Sequence, residues 1–117
     1  MNKTDLFMEL VATYQKHGWQ LKAAVLQPGT RAELTSKEPD LIRPLALKED
    51  SFDALWFSRP SHKDRVAWEL RLLAESQYAL FETFEADETE EQREEMRLEM
   101  EAQLREYVHG STGERGH

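Results

Sequence analysis

Two aromatic-rich runs in the middle of the chain, residues 52–59 and 66–73, most restrict how it can fold. Both alternate with a period of two, which suits strands and not helices. The polar segment Pro60-Ser61-His62-Lys63-Asp64 between them is short enough for an antiparallel hairpin, which is the expected pairing. One face of that hairpin carries Phe52, Ala54, Trp56 and Ser58 with Val66, Trp68, Leu70 and Leu72. The other carries Asp53, Leu55, Phe57 and Arg59 with Ala67, Glu69, Arg71 and Leu73. Pairing Trp56 with Trp68 sets Asp53 favourably opposite Arg71 but Arg59 unfavourably opposite Arg65, so the strands are expected to splay there or slip by two. The shared Trp-x-x-Arg of the two runs reflects like packing in paired strands, with both tryptophans in the core.

A hairpin alone is marginal in water and needs further cover. Residues 4–17 supply an amphipathic helix, with Leu6, Phe7, Leu10, Val11 and Tyr14 on one face and Glu9, Thr13 and Lys16 turned away. Asn2 or Thr4 caps it, and His17-Gly18 closes it with a left-handed glycine. Trp19, Leu21, Ala23 and Val25 then form the inward side of a strand that Pro28-Gly29 ends as a turn. Thr30 and Glu33 make a capping box for a short helix to about Ser36. Pro39 and Pro44 interrupt residues 37–51 and leave Leu45-Ala46-Leu47 as a short edge strand. Another strand, Tyr78 to Phe84, comes after the polar turn Glu75-Ser76-Gln77.

Beyond Asp87 the period becomes helical. Met96, Met100, Leu104, Tyr107 and Val108 form the apolar stripe, capped by Asp87 with Glu90 or Thr89 with Gln92 and closed by His109-Gly110. The expected fold is α+β: an N-terminal helix, an antiparallel sheet of about four strands with the aromatic-rich hairpin, and a long acidic C-terminal helix at about 88–109. The helices are expected to cover one sheet face. Residues 1–109 form a single domain, and 110–117, with three glycines, a flexible tail.

Charge obeys a different division. Of the 117 residues, those at 85–117 carry 11 acidic and 4 basic side chains, which is nearly the whole net charge of −8, and only one of the 11 aromatics. The absence of cysteine excludes disulfides, thiolate metal sites and a cysteine nucleophile. No apolar run approaches the ~20 residues of a membrane span, and the N-terminus lacks a signal-peptide core, so a cytoplasmic location is expected. Lys and Arg do not cluster as phosphate contacts require, which argues against direct nucleic-acid binding.

Two candidate sites remain. Glu91, Glu94, Glu95 and Glu99 share the polar side of the acidic helix with Glu90, Glu101 and Glu106, against only Arg93, Arg97 and Arg105. The pairs Glu91–Glu95 and Glu95–Glu99 each cost about 0.2–0.5 kcal/mol at low salt, an unfavourable choice for a helix selected for stability alone. Such a surface suits docking to a basic partner; a plain solvated face is the competing explanation. The second site is the hairpin face with Asp53, Arg59, Glu69 and Arg71, where the arginines could hold an anion; an ordinary charge ladder competes there. Histidines are too scattered for a metal site, no cofactor is implied, and no catalytic motif occurs. The expectation is a small acidic interaction module, an adaptor, inhibitor or assembly subunit, more plausibly without catalysis. The alternative is a ligand-binding or catalytic domain around Arg59, Glu69 and Arg71. Self-association through the sheet face, the edge strand or Leu98 is a further form of the first.

Overall fold

The computed structural model describes residues 2–113, with the backbone alone for 111–113. In chain order the elements are α1 (Lys3–Lys16), β1 (Gln20–Leu26), α2 (Pro28–Lys37), α3 (Pro39–Ile42), β2 (Ala46–Glu49), β3 (Ala54–Pro60), a 3₁₀ turn at His62–Asp64, β4 (Val66–Leu72), β5 (Ala79–Phe84) and α4 (Glu90–Gly113). The strands form one sheet in the order β2-β1-β3-β4-β5. The fold is α+β, as the sequence implies, with five strands, four of them in antiparallel succession. The β1–β2 pair is parallel, contrary to a purely antiparallel sheet. Its connection carries α2 and α3 and is long enough to cross over, which hairpin loops are not.

The β3–β4 register sets Trp56 opposite Leu70 and Ser58 opposite Trp68, two residues away from a Trp–Trp pairing. That slip separates the two arginines. Arg59 faces Ala67 and donates to the His17 carbonyl at 2.8 Å, while Arg65 reaches Glu85 at 3.0 Å. Trp56 and Trp68 become diagonal neighbours with centroids 5.8 Å apart, edge to face. Trp56 is buried and Trp68 half-buried.

Helices cover both faces of the sheet, not one. Leu6, Phe7 and Leu10 of α1 and Leu34 of α2 pack with Leu55 and Phe57 on the first face. Met100 and Leu104 of α4 pack with Val25, Ala54, Trp56 and Leu70 on the second. The central strand explains why: Ala54 through Ser58 are all buried, so neither side of β3 tolerates solvent.

Local chemistry corrects several boundaries. Asn2 caps α1 by accepting from the Asp5 amide at 2.8 Å, and Gly18 succeeds the helix at φ +88°. In α2, Pro28 is the first-turn residue and not part of a preceding turn, so Thr30 lies inside the helix and cannot form the expected capping box. The acceptor for the exposed end of α2 comes instead from Asp53, and Glu33 turns to α1 to accept from the Thr4 amide and hydroxyl at 3.1 and 2.8 Å. The capping box Thr89–Gln92 forms reciprocally, at 2.9 and 3.1 Å. His109 does not end α4, which runs on to Gly113; its Nε2 sits 3.0 Å from Ser51 Oγ in the β2–β3 loop. Residues 110–113, expected in a tail, are helical, and 114–117 lie outside the described residues.

Candidate functional site

The charged hairpin face is not an open surface. α1 lies across it, Leu55 and Phe57 are fully buried beneath, and Asp53 is 2% exposed. Asp53 accepts from the Gln27 amide at 2.7 Å, the Thr30 hydroxyl at 2.7 Å and the Gln27 side chain at 3.1 Å, with Lys3 Nζ at 3.2 Å. It therefore acts as the N-terminal acceptor of α2. Arg71 is buried and donates to the carbonyls of Leu72, Ala74 and Ser76, closing the β4–β5 turn. Glu69 accepts from the Tyr14 hydroxyl, and burial, followed by that carboxylate, pushes the Tyr14 pKa up to about 12. Arg59 lies over the Trp19 ring at 4.7 Å. Glu69 and Arg71 meet at the Tyr14 hydroxyl, while Asp53 and Arg59 are engaged elsewhere, so the four do not converge on one space.

The acidic helix is arranged differently. Glu91, Glu94, Glu95 and Glu99 are all exposed, with Glu91, Glu95 and Glu99 along the outer face and Glu94 nearer the sheet beside Arg97 and Glu101. Glu94 pairs with Arg97 at 2.9 Å; Glu91, Glu95 and Glu99 make no ion pair among the described residues. Leu98 stands in the same face at 47% exposure. Glu101, expected on the polar side, is instead buried: it accepts from Trp56 Nε1 at 2.9 Å and Lys48 Nζ at 2.7 Å. A glutamate one residue beyond Met100 and three before Leu104 falls on the inner side of a 3.6-residue helix, a signal present in the sequence. Arg97 and Arg105, four residues to either side of Glu101, form their ion pairs with other carboxylates. Arg97 pairs with Glu90 and Glu94 and stacks on Trp68 at 4.8 Å, while Arg105 clamps Asp50 at 2.7 Å. That guanidinium, with the Ser51 amide, holds the Asp50 pKa down at about 2 despite partial burial.

The second face also contains a cleft of about 390 Å³ that the residue pattern did not suggest. It lies where α4 leaves the β1–β2 side of the sheet uncovered. Its floor is Ala23, Val25, Ala46, Trp56 and Trp68, and Lys22, Lys48, Arg97, Glu94 and Glu101 stand around it. A bulge in β1 shapes it: the register with β3 jumps between Leu21 and Ala23, so Lys22 is the extra residue. Leu21 and Ala24 face the first core while Ala23 and Val25 face the second, correcting the regular alternation from Trp19 to Val25. Comparison with protein-family models, curated proteins and solved structures finds no match to this chain. Among the described residues, no helix is long and apolar enough to cross a membrane.

Proposed function

We propose that this protein is a small interaction module, acting in the cytoplasm, which docks a basic partner surface through the outer face of α4. The observation that carries the reading is Leu98, an exposed aliphatic side chain beside Glu95 and Glu99, which, like Glu91, make no ion pair among the described residues. An apolar centre with a charged rim is the composition of a docking patch, and like-charged Glu91, Glu95 and Glu99 give long-range attraction to a basic surface. The charged residues of the hairpin face support the alternative ligand-binding or catalytic reading less well, because each is occupied in holding a helix, a turn or a ring. The test is salt-dependent capture of partners by the native chain and by a variant with Glu91, Glu94, Glu95 and Glu99 changed to Gln. A discrete partner that high salt releases and the variant loses, without a lowered melting temperature, supports the reading. Equal capture by both chains, or no partner at either salt, overturns it.

A further inference from the structure

We propose that the cleft between α4 and the β1–β2 edge binds a small organic monoanion with a flat apolar body, of the aryl carboxylate class. This site lies on the inner side of α4 and shares with the docking residues only Glu94. Its volume of about 390 Å³ falls within the range of small-molecule pockets, and its composition fits that class: an apolar floor with a few polar groups at the margin. Alanines at 23 and 46, paired across β1 and β2, leave the space in front of the two tryptophans unfilled.

The charges around the cleft select the sign of the ligand. Three cations, Lys22, Lys48 and Arg97, meet two carboxylates, Glu94 and Glu101, in a chain whose net charge is −8. Arg97 is satisfied by Glu90 and Glu94. Lys48 spends one of its three N–H donors on Glu101, and the rest of its half-exposed ammonium remains available. Lys22 is exposed and makes no hydrogen bond or ion pair among the described residues. The bulge therefore delivers an uncommitted ammonium to an apolar cleft, a use for which bulges are suited. A carboxylate between Lys22 and Lys48, with its ring over Ala23 and Ala46, answers both features. Glu101 contributes as a positioning residue: it holds the Trp56 indole and the Lys48 ammonium in place from the buried side.

The three tryptophans provide the assay, since Trp56 and Trp68 line the cleft and Trp19 lies in the opposite core. The isotope-labelled full chain is titrated with 2-naphthoate and, separately, with the neutral 2-naphthamide, following the indole N–H signals. Saturable shifts of Trp56 and Trp68 with naphthoate, a still Trp19, and about tenfold weaker binding of the amide are expected, as for loss of one charge-assisted contact. Lys22→Ala should weaken naphthoate by about fivefold to tenfold on the same grounds. Ala46→Phe, at an exposed edge position where an aromatic is tolerated, should abolish binding without lowering the melting temperature. Absence of saturable shifts, equal affinity for the amide, a response at Trp19, or indifference to both substitutions overturns the proposal.

Discussion

The two faces of the sheet each bury one carboxylate, and they treat it differently. Asp53, on the first face, is surrounded by four donors: two from Gln27, one from Thr30 and one from Lys3. It is sealed by α1 and by the start of α2, so its acceptor capacity is used within the fold. Glu101, on the second face, has two donors and stands beside open space. The contrast separates a charge that builds the molecule from one that orients groups around a cleft. Three helices pack on the first face and leave only its β5 margin, at Phe81, exposed; a single helix crosses the second and leaves its β1–β2 side bare.

Substitution should break the comparison most visibly at Asp53. Asp53→Ala strands the Thr30 hydroxyl and the Gln27 amide around a buried vacancy, while Lys3 keeps the Leu73 carbonyl and solvent, and should cost about 2–4 kcal/mol. Glu101→Gln keeps an acceptor for the Trp56 indole, and Lys48 can turn to solvent, so about 1–2 kcal/mol is expected. Urea midpoints of the two variants give the ranking directly. A larger loss at Glu101 would show that the second face, not the first, anchors the fold.

One tie on each face should also fail at an opposite end of the pH scale, with a smaller effect. Tyr14, which ties α1 to β4, has its pKa raised from 10.0 to about 12, so the unfolded chain ionises first. Its contribution is whole below pH 10 and is lost as pH rises to about 12. Asp50, which ties α4 to the β2–β3 loop through Arg105, has its pKa lowered from 3.8 to about 2. Its contribution is present above pH 3.8 and is lost as pH falls to about 2. Unfolding midpoints measured across pH should lose the alkaline step in Tyr14→Phe and part of the acid step in Asp50→Asn, each without change at the other end. A single variant that flattens both arms would mean that the faces are not separately held.

Legibility in the sequence divides along the same line. Local rules locate α1, the hairpin and α4, because their apolar periods are strong and their caps, Asn2 and Thr89 with Gln92, are local. Even the hairpin register is foreshadowed by the conflict between Arg59 and Arg65. The rest depends on contacts distant in the chain. The acceptor for α2 lies 26 residues from Gln27, at Asp53, and no local pattern points to it. The parallel β1–β2 pair rests on a four-residue strand behind two prolines. The cleft needs the bulge at Lys22, and two adjacent alanines conceal it, since either can face either side. Glu101 is the exception: its position on the stripe is readable, but its charge obscures it.

The smallest effect should be the most discriminating for the outer face of α4. Glu95 lies four residues from both Glu91 and Glu99, is exposed, and makes no ion pair among the described residues. Glu95→Gln removes two like-charge contacts and should raise stability by about 0.2–0.5 kcal/mol per contact at low ionic strength. Added salt should abolish the gain, because exposed charges at this spacing are screened within a Debye length of about 10 Å at 0.1 M. Thermal midpoints at low and high salt measure both. A gain that salt removes identifies a surface that is worse for folding than it needs to be, as a docking face tolerates. A loss of stability would place Glu95 in a structural role, and the docking reading of Glu91, Glu95 and Glu99 would then give way to a helix arranged for its own support.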